Sequence, residues 1–221
     1  MVDASSTRSK AGCALCPIGA ASHVAEGGRC PLFDRRRAAG ACLYVAGAPA
    51  DTFFYVKVGV VALSRGARLA EGDGSPHAIR RAGSLLGLEV LVQDTYADSA
   101  RTVTDSVVCA AGRPEILAWL ELDGTARAVL DCHVRASVDD HAARATTDGN
   151  APRRVARWLL GSTRQQSLPR AVLAGLLGMR PETLSRALAA LVSAGCIVVT
   201  RSHIEVADPA YLEDIANGGS A

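Results

Sequence analysis

Cys13-Ala-Leu-Cys16 sets two thiols on one turn of chain, and a third follows in Cys30-Pro31-Leu32-Phe33. Thiolates at this spacing hold zinc, hold an iron–sulfur cluster or close into a redox disulfide, and the spacing alone suits the three chemistries equally. A second set lies far downstream, in Arg180-Pro181-Glu182-Thr183-Leu184-Ser185-Arg186. On a helix, Glu182, Ser185 and Arg186 share one face, with Arg180 and Thr183 beside them. A guanidinium fork matches guanine O6 and N7, a carboxylate accepts from cytosine N4, and a hydroxyl takes either a base or a phosphate. The competing reading is a solvated charged face on a helical pair that docks a protein.

To bring those groups to a DNA groove, the surrounding chain must be a helix-turn-helix, and Ser167 to Ile204 has that pattern. A first helix is expected over Arg170 to Leu177, with Ala171, Leu173, Ala174 and Leu177 apolar and Leu168-Pro169 setting its start. Gly178 supplies the turn. Pro181 opens a second helix that runs to about Ala194 with Leu184, Leu188 and Leu191 inward, and Gly195 closes it before a short β-wing. Charge agrees with this assignment. Between Pro152 and Ala207, arginines 153, 154, 157, 164, 170, 180, 186 and 201 face only Glu182 and Glu205, a formal +6 on a chain whose total is +2. A basic segment on an otherwise acidic chain is the footprint of phosphate contact. A bland cause is also available, since Lys10 and Lys57 are the only lysines and the arginine bias can reflect a GC-rich genome.

The 221 residues allow one large or two small domains. Neither a leader peptide nor a long apolar run is found, so a cytoplasmic protein without membrane contact is expected. In that setting the seven cysteines (13, 16, 30, 42, 109, 132 and 196) are expected to be ligands, redox groups or small core residues. Residues 1–41 show no helix or strand period and need a metal or cluster to order them. Residues 42–118 read as a β-roll: Leu43-Tyr44-Val45, Thr52 to Leu63 and Val103 to Ala111 are strands, separated by turn signals at Gly47-Ala48-Pro49, Arg65-Gly66, Gly72 to Pro76 and Ala82-Gly83. Glu115 to about Ala145 reads mostly helical, with Leu122, Ala126, Val129, His133 and Ala136 in register, and gives a helical segment over 119–147. Residues 148–221 start with a hinge, Thr146 to Pro152 lying across the boundary, and then a helix with Val155, Trp158 and Leu159 inward. The fold class is α+β.

Gly47, the Phe54-Tyr55-Val56-Lys57-Val58-Gly59 hairpin and Ala82-Gly83-Ser84-Leu85-Leu86-Gly87 resemble the cyclic-nucleotide-binding β-roll of the CRP/FNR superfamily of transcription factors. In members that bind cyclic AMP, a Gly-Glu pair and an Arg-Ser pair hold the ligand. Here those places read Gly87-Leu88 and Asp98-Ser99, which sets a negative charge against a phosphate, so no cyclic nucleotide is expected. Ser106-Val107-Val108-Cys109 and Cys30-Pro31-Leu32-Phe33 are similar to the FNR branch, whose oxygen-responsive members hold a [4Fe-4S] cluster on three N-terminal cysteines and one in a sensor strand. The resemblance implies Cys13, Cys16, Cys30 and Cys109 as ligands, although thirteen residues separate Cys16 from Cys30, a longer spacer than that branch usually has. It also implies a homodimer through the long helix, and Glu182-x-x-Ser185-Arg186 implies TTGAT-like half-sites in an inverted repeat of double-stranded DNA. RNA polymerase is the further partner implied.

The helix stripe is poor in large apolar residues, and Asp139-Asp140 repel a symmetry mate, so the dimer is expected to be marginal and easily controlled. The same stripe packed on the roll is the bland reading. Other assignments stay open at this point: zinc on Cys13, Cys16, Cys30 and Cys42, a thiol sensor without metal, or an iron–sulfur electron carrier with an accessory winged helix. His23 is a possible substitute ligand, and Cys132 and Cys196 are expected to be packing residues. No acid/base constellation marks an enzyme.

Overall fold

The computed structural model describes residues 16–17, 32–65, 75–122, 124–145, 149–161, 168–200 and 203–219. The chain divides into two units, one holding residues 1–61 and 79–136 and the other 62–78 and 137–221.

The roll is built from eight strands: β1 (Phe33–Arg37), β2 (Cys42–Tyr44), β3 (Thr52–Val58), β4 (Val60–Ser64), β5 (Pro76–Arg81), β6 (Leu85–Leu86), β7 (Ser99–Thr102) and β8 (Ser106–Gly112). They form two four-stranded sheets, β1-β8-β3-β6 and β2-β7-β4-β5. The sequence reading has no strand before Cys42, and β1 corrects it. Phe33–Arg37 reads FDRRR, with no apolar alternation to betray a strand; it is held by antiparallel pairing with β8, from Phe33 opposite Ala110 to Arg37 opposite Ser106. The expected strand from Thr52 to Leu63 is divided at Gly59, whose φ of 99° turns the chain and where a Cβ would run into Ser106 Oγ. Both faces of β3 are covered, since Phe53 through Lys57 are all buried. Its Phe53 and Tyr55 join a cluster with Cys16, Leu32, Val90, Cys109, Ile116, Trp119 and Val129. Its Phe54 ring stacks on Tyr44 at 5.7 Å, and Tyr44 stacks on Tyr96 at 4.1 Å.

Two helices follow the roll, α1 (Arg113–Leu120) and α2 (Thr125–Ala145). The sequence suggests one helix from Glu115; the chain instead breaks at Gly124, which has a φ of 79°, and Thr125 N donates to Leu122 O. The break moves the buried face. Val129 packs on the roll cluster and Cys132 lies against it, whereas Leu122, Ala126 and His133 of the expected stripe are exposed. On the open face Leu130 (59% exposed), Val134 (49%) and Val138 (61%) stand at i, i+4, i+8.

The C-terminal part contains α3 (Ala151–Gly161), α4 (Arg170–Leu176), α5 (Pro181–Ser193), the hairpin β9 (Ile197–Val199) and β10 (Ile204–Val206), and α6 (Pro209–Asn217). Its core joins Val155, Leu159, Leu173, Leu177, Leu184, Leu188, Leu191, Ile197, Leu212 and Ile215. Buried Cys196 belongs to it, as the packing expectation has it. Nothing in the sequence reading anticipates α6, whose signal is an Asp208-Pro209 start with Asp208 accepting from Tyr211 N at 3.0 Å. Among the described residues no helix is long and apolar enough to cross a membrane.

Candidate functional site

The turn between α4 and α5 is made as the residues require. Gly178 has a φ of 58°, and Met179 N donates to Ala174 O at 2.9 Å, which closes the end of α4. Arg180 then takes an extended conformation and Pro181 opens α5, with no side chain capping its first turn. The free N–H groups and the positive helix end therefore stay open to solvent. Leu184, Ala187, Leu188 and Leu191 anchor α5 in the core. On its other side Arg180, Glu182, Thr183, Ser185 and Arg186 are all exposed. Glu182, Ser185 and Arg186 thus stand on the outer face that the sequence reading gives them, with Arg180 and Thr183 exposed beside them, and of the apolar residues on α4, Leu173 and Ala174 are buried while Ala171 is exposed. Beside them β9 and β10 form the wing, with Thr200 N bonded to His203 O at 2.9 Å and His203 Nε2 2.8 Å from Glu205 Oε1.

The basic segment is not spent on one surface. Arg153 Nε and Arg157 Nε each donate to Ala216 O at 2.9 Å, so two of its arginines close the carbonyl end of α6. Arg186, in contrast, projects from α5 into solvent.

The thiols divide by location. Cys16 and Cys109 are 4% and 6% exposed and belong to one cluster, together with Leu32, Trp119 and Val129. Cys109 stands in the middle of β8, opposite Asp34 of β1 and Tyr55 of β3. Cys42 is exposed on the other sheet, where its thiol donates to Tyr44 O at 3.4 Å. Cys13, His23 and Cys30 lie outside the described residues, as do Arg164 and Arg201. Among the described residues no three His, Cys, Asp or Glu side chains meet as a metal site.

Two family models match in tandem: a cyclic nucleotide-binding domain over residues 34–123 and a Crp-like helix-turn-helix domain over residues 153–215. The chain is a CRP/FNR-like, DNA-binding transcription regulator. Solved structures agree on the fold of this CRP/FNR-like chain. A CRP-family transcriptional regulator from Thermus thermophilus is 22% identical, with 84% of this chain and 97% of that one covered at a TM-score of 0.68. FixK2 from Bradyrhizobium japonicum is 20% identical, with 87% and 100% covered at 0.69. A putative cAMP-binding regulatory protein from Silicibacter pomeroyi is 27% identical, with 85% and 87% covered at 0.57. A search of curated proteins finds no match.

The segment between β6 and β7 carries Gly87-Leu88 and Asp98, at the places that the sequence reading compares with the ligand-holding pairs of cyclic-AMP-binding members. Gly87 is left-handed, and a Cβ there would meet Thr52 O at 2.9 Å. Leu88–Leu91 forms a short 3-10 turn, and Glu89 Oε1 accepts from Ala97 N at 3.3 Å. Burial pushes the Tyr44 hydroxyl far above the ordinary tyrosine range, and the negative charges of Glu89 and Asp98 push it the same way.

Proposed function

We propose that this regulator is gated by a [4Fe-4S] cluster on Cys13, Cys16, Cys30 and Cys109 that responds to oxygen or nitric oxide. As a homodimer it reads TTGAT-like inverted repeats and engages RNA polymerase. The observation that carries the reading is that Cys16 and Cys109, far apart in sequence, are buried in one cluster that also contains Trp119 and Val129 of the helices leading to the seam. The remaining two thiols lie close in sequence to members of that cluster, Cys13 to Cys16 and Cys30 to Leu32. The position of Cys42 on the other sheet supports Cys109 as the fourth ligand.

A bound cluster supplies oxygen-labile thiolate bonds between the N-terminal segment and β8. Cys109 offers its thiol from a central strand, and Cys16 is buried in the same cluster. Val129 ties the first turns of α2 to that cluster, so a change in how Cys16 is held reaches the helix whose open face bears Leu130, Val134 and Val138. That face supports a second copy of this chain as its occupant, because only a dimer presents two α5 helices to the half-sites of an inverted repeat. Glu182, Ser185 and Arg186 then read the base edges, with Arg180 and Thr183 on the backbone. The reading includes no cyclic nucleotide: Leu88 has no carboxylate for a ribose hydroxyl, and Asp98 and Glu89 repel a phosphate.

The test is iron, acid-labile sulfide and zinc per chain on protein purified without air, then after brief exposure, with operator binding measured on each sample. About four iron and four sulfide, lost in air together with operator affinity, is the expected result. Zinc that persists in air would replace the cluster with a thiol switch, and no metal at all would remove both.

A further inference from the structure

Lysine is among the side chains least often buried, yet Lys57 is 5% exposed on the central strand β3. Its ammonium lies 3.4 Å from Asp34 Oδ2 on β1. In the sheet order β1-β8-β3, the strand between those two is β8. Neighbouring strands are about 4.8 Å apart, so a side chain reaching from β3 to β1 must cross the face of β8. Asp34 is the residue directly opposite Cys109, and Tyr55, two residues before Lys57, is opposite Cys109 from the other side. Directly opposed residues share a face, so the cation lies over β8 on the face that carries the Cys109 thiol. The pairing of β3 with β8 shifts between Val56 and Val58, which leaves Lys57 as the extra residue of a bulge. Bulges re-aim one side chain while sparing the rest of the ladder.

Resting on the proposed thiol site, we infer that Lys57 is its positioning residue: a buried cation held over β8 to support negative charge at Cys109. Thiolates and a thiolate-ligated cluster are anionic, and a buried anion needs a fixed counter-charge. Asp34, 31% exposed at its side chain, keeps the ammonium over β8 while remaining partly solvated. An ion pair serving stability alone needs no cation drawn across another strand.

The experiment loads the full chain with ferrous iron and sulfide without air and compares wild type with Lys57→Met, Lys57→Arg and Asp34→Asn. Iron per chain, the rate of cluster loss in air and the midpoint potential are read. Removing an outer-shell partner of a metal ligand costs about 10-fold in retention, so Lys57→Met should lose its cluster about 10-fold faster and show a lower midpoint potential. Lys57→Arg should restore both, and Asp34→Asn, whose amide oxygen still accepts from the ammonium while the competing negative charge is gone, should hold its cluster at least as long as wild type. Equal loss in Lys57→Met and Asp34→Asn would reduce the pair to a structural brace and overturn the inference, as would a Lys57→Met cluster as durable as the native one. If Lys57→Met does not fold, Asp34→Asn decides alone, and faster loss there overturns the inference. A wild-type chain that takes up no iron overturns the cluster reading and this one together, whereas a loaded wild type with an indifferent Lys57→Met sinks only this one.

Discussion

Arg157 and Arg153 donate to the Ala216 carbonyl, while Arg186 stands exposed on α5, so arginines of one basic segment do different work. Arg186→Ala should cost about 1–3 kcal/mol of discrimination between cognate and scrambled operators, read as a ratio of dissociation constants. Unchanged discrimination would remove Arg186 from the readout. Arg157→Ala should lower the thermal midpoint of the C-terminal domain and leave the salt dependence of DNA binding alone, because each lost phosphate contact shifts the slope of log K against log salt by about 0.9 and Arg157 makes none. A shallower slope would put Arg157 on the DNA. The charge of these arginines is plain in the sequence, but the use of Arg153 and Arg157 is not, because their acceptor ends α6, a helix that apolar spacing does not announce. Lys57 was hidden for a similar reason: only the register across three strands shows that it reaches over Cys109.

At the scale of elements, the two turns at Gly59 and Gly47 test how tightly the roll is built. Both have positive φ, 99° and 80°, but a Cβ at Gly59 meets Ser106 whereas one at Gly47 has nothing within 4 Å. Gly47→Ala should therefore cost about 1–2 kcal/mol from backbone conformation alone. Gly59→Ala should cost about 1–3 kcal/mol more from overpacking, seen as a larger drop in the denaturation midpoint of the roll. Equal losses would show that Ser106 moves aside freely. Helices and strands with a clear period were legible: α4, α5, the wing and the β3 run all follow from apolar spacing. What escaped lacks such a period or depends on a break. The strand β1 is held by ladder bonds under an FDRRR sequence, and the turn at Gly124 restarts the helix at Thr125. That restart takes Leu122 off the helix, and Leu130, Val134 and Val138 stand on the open face beside Ala126 and His133 of the stripe phased from Glu115.

At the scale of the whole molecule, the proposed dimer assigns to the open face of α2 the contact that holds two copies together on DNA. Leu130, Val134 and Val138 give it three apolar side chains, with Asp131 and Asp139 next to two of them in sequence. An apolar row this short, edged by like charges, makes a weak association that a small change elsewhere can tip. Val134 is outside the roll cluster, so Val134→Asp should leave the circular dichroism and thermal midpoint of each domain close to native while turning the dimer into a monomer in sedimentation. Operator affinity should fall by about 10²–10⁴-fold, because a monomer loses the effective concentration that the second half-site supplies, while binding to an isolated half-site stays the same. A Val134→Asp protein that still sediments as a dimer would move the seam off this face. One that sediments as a monomer but binds the full operator at native affinity would break the link between association and recognition, and any signal acting through α2 would then have to reach α5 within a single chain.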